Sequence, residues 1–170
     1  MSVGPATLAT MTDVYSDVSL RPVHEEDLER FLAYEHDPEA VRRSRFTPRP
    51  REDFLRHWRE RVLGDPDCLV RTVVVDGDVA GNFGSWTQDG RRFVGYWLGR
   101  PYWARGVGTR ALGLYLELER VRPLYADPFS GNAASVRLLE KHGFARSGTV
   151  RYGEDEHVVF VLAEPDGSGR

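Results

Sequence analysis

Gly95-Tyr96-Trp97-Leu98-Gly99-Arg100-Pro101-Tyr102-Trp103-Ala104-Arg105-Gly106-Val107-Gly108-Thr109 is the stretch on which the reading of this chain turns. An apolar run ends at Leu98, a Pro- and Gly-bearing loop follows, and helical spacing begins near Gly108. The first N–H groups of a helix have no partner inside it, and they point at whatever lies beyond its end. Gly106 and Gly108 remove the side chains that would hold an anion off those donors, and the helix dipole favours negative charge there. The segment predicts a pyrophosphate cradle between a strand and a helix. A plain glycine-rich connection is the alternative.

Working upstream, 69–75, 79–87 and 93–98 are rich in Val, Phe and Trp. They are separated by Asp76-Gly77 and Asp89-Gly90, dipeptides suited to the primed turns of tight hairpins. That is an antiparallel meander. Before it come a short strand at 18–21, a helix from the acidic opening His24-Glu25-Glu26-Asp27 to about residue 36, and a helix over 51–63 stopped by Gly64-Asp65-Pro66. Downstream, the helix at 108–120 leads to a strand at 124–127 and a helix from about 132 to 142. Gly143-Phe144 reads as a left-handed helix stop with Phe144 packing back on Leu139. Runs at 145–151 and 156–162 then read as a closing hairpin. The expected fold is α/β (α+β): a mixed, mostly antiparallel sheet of six to seven strands with helices on both faces.

At 170 residues the chain is expected to be one domain over 18–163, with a loose N-terminal tail at 1–17 and a C-terminal one at 164–170; the pattern leaves the natural start open between Met1 and Met11. No apolar run approaches the ~18 residues of a membrane span, and residues 1–10 lack the pattern of a secretory signal. A cytoplasmic location is the default expectation. Cys68 stands alone, and the five histidines lie far apart without ligand spacing, so no metal is expected. The net charge of −3 selects no partner and suggests no direct nucleic-acid site. Lys141 is the only lysine beside 22 arginines. That removes a Walker-type loop, which needs Gly-Lys-Ser/Thr at the helix entry.

Two readings of the cradle remain. Gly106-Val107-Gly108-Thr109-Arg110-Ala111 satisfies the G-x-G-x-x-G/A dinucleotide fingerprint, with Asp127 about twenty residues on. Against an NAD(P)-binding enzyme, seven residues including Pro101 separate the strand from the glycines, and few βα repeats can follow. The second reading is a resemblance. Tyr96-Trp97-Leu98 with Tyr102-Trp103-Ala104-Arg105-Gly106-Val107-Gly108-Thr109 resembles the acetyl-CoA loop of the GNAT superfamily of N-acetyltransferases. Asn132-Ala133-Ala134-Ser135-Val136-Arg137-Leu138-Leu139-Glu140-Lys141-His142-Gly143-Phe144 is similar to that superfamily's next signature, N-x-x-S-x-x-x-L-E-K-x-G-F. The similar branch is the one containing ribosomal-protein N-terminal acetyltransferases.

The resemblance implies the GNAT fold and acetyl transfer from acetyl-CoA to a primary amine, on a ribosomal or other protein N-terminus or on a small molecule. It implies that the strand ending at Leu98 splays from its neighbour, with main chain at Trp97 and Leu98 pairing with pantetheine and the Leu98 N–H polarising the thioester carbonyl. Amides of Arg105, Gly106, Val107, Gly108 and Thr109 would hold the pyrophosphate. Asn132 would bind the pantetheine arm, cap a helix, or both. Ser135 would protonate the departing thiolate. Trp103, Leu139 and Phe93 depart from the superfamily pattern, the last two at the usual acid and base. Asp127, Glu156 and Glu35 are the candidate bases. A catalytically silent acyl-CoA-binding module is the other reading the missing groups allow. Residues 42–61 carry eight arginines, which reads as a solvated face or as an anionic-acceptor surface. A homodimer is compatible with the pattern.

Overall fold

The computed structural model describes residues 17–166. The expected N-terminal tail, Met11 included, therefore falls outside the described residues but for residue 17, and of the expected C-terminal tail 164–166 are described. Seven strands, β1 (Val18–Arg21), β2 (Leu69–Val75), β3 (Asp78–Gln88), β4 (Arg91–Leu98), β5 (Leu124–Ala126), β6 (Ala145–Tyr152) and β7 (Asp155–Leu162), form one sheet. Its order is β1-β2-β3-β4-β5-β7-β6, and every neighbouring pair is antiparallel except β4 with β5. Both Asp-Gly dipeptides make two-residue turns with positive φ at each residue, 46° and 88° at 76–77, 51° and 73° at 89–90. They set the pairings Val75↔Asp78 and Gln88↔Arg91 that start the meander.

The helices are α1 (Asp27–Glu35), α2 (Pro38–Ser44), α3 (Arg51–Arg56), α4 (Val107–Leu118) and α5 (Ala133–Lys141). One core joins Ala111, Leu112 and Tyr115 of α4 and Val136 and Leu139 of α5 to Val73, Phe83, Val94 and Phe160 of the sheet. A smaller one packs Leu28, Phe31, Phe54 and Trp58 on Val70. Val70 and Val73 stand three apart in β2, so alternation sends them to opposite faces. Helices thus cover both sides.

Two local expectations need correction. The expected single helix over 51–63 is α3 followed by a π-helical segment, His57–Val62. A helix not expected at all, α2, opens after Asp37, whose carboxylate accepts the Glu39 N–H at 2.9 Å, with Pro38 in its first turn. Its seven residues hold too few apolar positions to show a period. The cap and the proline were its available signal.

Asp27, buried at the start of α1, ties that helix to the sheet. Arg21 donates to it twice (2.7 and 2.9 Å), the His24 N–H at 2.8 Å and the Thr72 hydroxyl at 2.8 Å. Burial pushes its carboxyl up, but these donors outweigh it and hold the group down at about 2. Because the folded value lies below the unfolded one, this contribution is complete above pH 4 and disappears as pH falls through 2. We expect stability in urea titrations to drop by about 2 kcal/mol from this group over that window. Asp27→Asn should lack this acid limb and lose about 2–3 kcal/mol at pH 7.

Candidate functional site

β4 and β5 pair only at Arg92↔Leu124 and Phe93↔Tyr125. Beyond Phe93, β4 runs on to Leu98 without β5 beside it. In the β3–β4 ladder the Gly99 N–H donates to the Ala80 carbonyl at 2.8 Å. Antiparallel alternation therefore aims the main-chain groups of Val94, Tyr96 and Leu98 away from β3, toward the gap. The Leu98 carbonyl on that side accepts the Trp103 indole N–H at 2.9 Å. Trp103, which departs from the superfamily pattern, thus braces the strand end and leaves the Leu98 N–H to the open edge. By the same alternation the main chain of Trp97, expected at the pantetheine, faces β3 instead, and its indole N–H is held by the Tyr34 carbonyl, 2.9 Å.

The gap widens into a cleft of about 670 Å³. Trp97, Leu98, Gly106, Val107, Gly108, Thr109, Asp127, Asn132 and Ser135 all line it. At one end Gly106, at φ 77°, ψ 0°, is the residue before α4, a conformation that L side chains resist. The first intrahelical bond runs from the Arg110 N–H to the Gly106 carbonyl, 3.1 Å. The amides at the start of α4 are therefore the orphan donors of the helix, and they border the cleft. A Cβ on Gly108 would come within 3.4 Å of Leu138 and Leu98, so the glycine also lets α4 seat against α5 and the β4 end. These features fit a pyrophosphate followed by an extended arm. Arg105 is exposed and is not among the residues that line the cleft, so the structure does not bring it to the cradle with Gly106, Val107, Gly108 and Thr109.

Asn132 caps α5, its side-chain oxygen accepting the Ser135 N–H at 3.3 Å, and it also lines the cleft. Gly143 (φ 87°) and Phe144 close the same helix, their N–H groups donating to Glu140 and Leu139, 3.1 Å each. The Ser135 hydroxyl lies 2.5 Å from the Tyr96 hydroxyl. Tyr96 was not anticipated; it read as a strand aromatic. It stacks on Phe83 and lines the cleft, and burial pushes its phenol up to about 12 despite the Ser135 bond.

The opposite wall carries the candidate bases. Asp127 lines the cleft and accepts the Tyr152 hydroxyl at 2.5 Å, a bond that, with burial, pushes that phenol up to about 12. Glu156 is exposed and does not line the cleft. Alternation along β7 turns it to the side opposite its neighbour His157, which does. Glu35 is also not a lining residue. Its Oε2 is buried without a hydrogen-bond partner among the described residues, and burial pushes its carboxyl up to about 7 against the pull of Arg49 and His36.

His157 is the group that sequence reading missed. Its Nδ1 lies 2.8 Å from the Asp127 carbonyl. A carbonyl only accepts, so Nδ1 carries the proton and the Nε2 lone pair of the neutral ring is left. Nε2 has no hydrogen-bond partner among the described residues. Phe129 and Tyr152 hold the ring edge to face, at 5.9 and 4.8 Å between centroids. Among the described residues no group of three or more His, Cys, Asp or Glu could hold a metal, and no helix is long and apolar enough to cross a membrane.

A splayed parallel strand pair facing a glycine-opened helix is the acyl-CoA N-acyltransferase arrangement of the GNAT fold. Residues 17–145 match the Acetyltransferase (GNAT) domain family, and the chain belongs to it. The dinucleotide-enzyme alternative falls with this, since the sheet has one parallel pair where a doubly wound domain would have several. Among solved structures the chain is similar to aminoglycoside acetyltransferase AAC(6')-Ib in complex with coenzyme A and kanamycin (TM-score 0.73, 22% identity, covering 86% of this chain and 95% of that one). The same enzyme with paromomycin and acetyl-CoA gives 0.73 and 23%, over 87% and 94%. A protein from Bacillus halodurans, described as uncharacterized, gives 0.70 and 13%, over 86% and 83%. At these identities the likeness is one of fold. No curated protein matches the chain in sequence.

Proposed function

We propose that this chain, as a single domain over 18–163, is an acetyl-CoA-dependent N-acetyltransferase acting by direct transfer to a primary amine, on a protein N-terminus or a small molecule. The observation that carries the reading is the meeting, in one cleft, of the unpaired β4 edge and the glycine-opened start of α4. Amides from Gly106 to Thr109 hold the pyrophosphate, and the β4 edge pairs with pantetheine as a missing strand would. The Leu98 N–H stabilises the charge that collects on the thioester oxygen.

Protons need a route on both walls. An amine with pKa near 10 arrives as ammonium and attacks only after losing a proton. The Nε2 lone pair of His157 receives it, with the Asp127 carbonyl holding the ring. Across the cleft, the Ser135 hydroxyl donates to the departing sulfur and is resupplied by Tyr96. The pair of walls also weighs against a silent acyl-CoA-binding module.

Calorimetric titration with acetyl-CoA, CoA and NADH tests the reading. Micromolar binding of the first two without NADH is expected. A folded sample that binds no CoA would overturn it, and binding without turnover across an amine panel would favour the silent module.

A further inference from the structure

Of the eight arginines between 42 and 61, all but Arg61 fall into two groups once their partners are known. Arg42 pairs with Glu39, Arg51 with Glu29, Arg56 with Asp53 and Arg59 with Glu25, all on the outer surface. Those four are the solvated face that composition suggests. Three others do something different. The Arg43 guanidinium lies 4.5 Å from the Trp103 ring centroid, Arg45 lies 5.4 Å from that of Phe129, and Arg49 lies 5.8 Å from that of Phe46. Trp103, Phe129 and Phe46 all line the cleft. Of the three arginines only Arg43 itself lines the cleft, over Trp103 in the loop before α4, whereas Arg45 stands behind Phe129, whose other neighbour is the His157 ring.

Their charge is poorly compensated. Arg43 shares Glu39 with Arg42. Arg45 has no ion pair among the described residues, whereas Arg49 lies close enough to the Glu35 carboxyl, which does not line the cleft, to pull on it. Asp37, beside α2, is taken by Arg100. Asp127 is the one carboxylate among the lining residues, and it lies on the far wall, held by Tyr152. Arg45 sits at φ 56°, ending α2 in a left-handed turn. A guanidinium over an aromatic face still has its N–H edges free to fork onto an oxyanion.

We infer that the acceptor is a primary amine that also carries an oxyanion, a carboxylate or a phosphate, bound with its ammonium toward Asp127 and His157 and its oxyanion toward Arg45, beside Phe129. The inference rests on the acetyl-transfer reading above and names the substrate class of that same site. A polycation such as kanamycin meets like charge at this rim and is rejected. Complementary charge at an opening mainly sets specificity and rate of capture, and salt screens it.

The test measures CoA release with matched amines: L-glutamate against L-glutamine, phosphoethanolamine against ethanolamine, dipeptides with Asp against Asn in second place, and kanamycin. Expected is a kcat/KM at least tenfold higher for each anionic member that turns over, eroded in 0.5 M NaCl, and no turnover of kanamycin. Arg45→Glu should remove most of the preference while leaving acetyl-CoA affinity, read by calorimetry, within twofold, and Arg49→Glu, beside Glu35 and off the cleft, should leave the preference in place. Three results would overturn the inference: kanamycin or the neutral members reacting as fast as the anionic ones, an unchanged preference in Arg45→Glu, or no anionic member reacting although acetyl-CoA binds. Absence of acetyl-CoA binding would instead remove the acetyl-transfer reading on which it stands.

Discussion

Gly106→Glu should raise the acetyl-CoA dissociation constant by two orders of magnitude or more. Gly106 holds φ 77° immediately before α4 and lines the cleft. An L residue in that conformation costs about 1–2 kcal/mol, which weakens the turn that aims the α4 amides. The larger effect is charge. A carboxylate at the cradle takes the position that those N–H groups offer an anion, and it repels the incoming phosphates. At a few ångströms and a surface-like dielectric such repulsion is about 4 kcal/mol before salt and rearrangement reduce it. A net loss near 2.7 kcal/mol is a factor of about one hundred in affinity. Gly106→Ala separates the two contributions: it carries the strain without the charge, so it should lower stability by about 1 kcal/mol and cost affinity only a few-fold. If glutamate and alanine weakened binding equally, the cradle would be acting through its shape alone. If neither weakened it, the pyrophosphate would lie elsewhere.

The features legible in the sequence are those written in consecutive residues. The Asp76-Gly77 and Asp89-Gly90 turns, the Gly143-Phe144 helix stop and the Asn132 cap each depend on chemistry confined to a few neighbours, and each forms as its residues demand. The cleft was legible for the same reason, because β4, its loop and the start of α4 are contiguous in the chain. Less was visible where the signal is tertiary. Glu156 and His157 are adjacent, both are plausible bases, and only the placement of β7 beside the Asp127–Phe129 segment decides which faces the cleft. Tyr96 reads as one more strand aromatic until α5 brings Ser135 to 2.5 Å from it. The arginines of 42–61 could not be sorted into outward pairs and cleft-rim cations without knowing which carboxylates and rings they meet. Neither the π-helical turn at His57–Val62 nor its position has a counterpart in the sequence pattern, and no contact of the structure explains it.

His157→Gln should lower kcat/KM by about 10²–10⁴ on whichever amine proves to be the acceptor, the range that a positioned proton acceptor contributes. Glutamine can fill much of the space between Phe129 and Tyr152 and can still donate to the Asp127 carbonyl, so the wall should keep its shape. It offers no lone pair that takes up a proton near neutral pH. Acetyl-CoA affinity should stay within twofold, because the base wall lies opposite the β4 edge. A merely structural histidine predicts a different result: altered acetyl-CoA binding or stability, with the pH dependence of the remaining activity unchanged. The pH–rate profile is therefore the deciding measurement. The groups that face the ring are Asp127, Tyr152 through its ring contact and, beyond Phe129, Arg45. With His157 present, the protein supplies the proton acceptor, and activity should reach a plateau well below the pKa of the free amine. In the glutamine variant no such plateau should form, and rate should keep climbing with pH as free amine accumulates in solution. Retention of the plateau would transfer the role to Asp127, and Asp127→Asn, which keeps the main-chain carbonyl that orients His157, would then show the loss in its place.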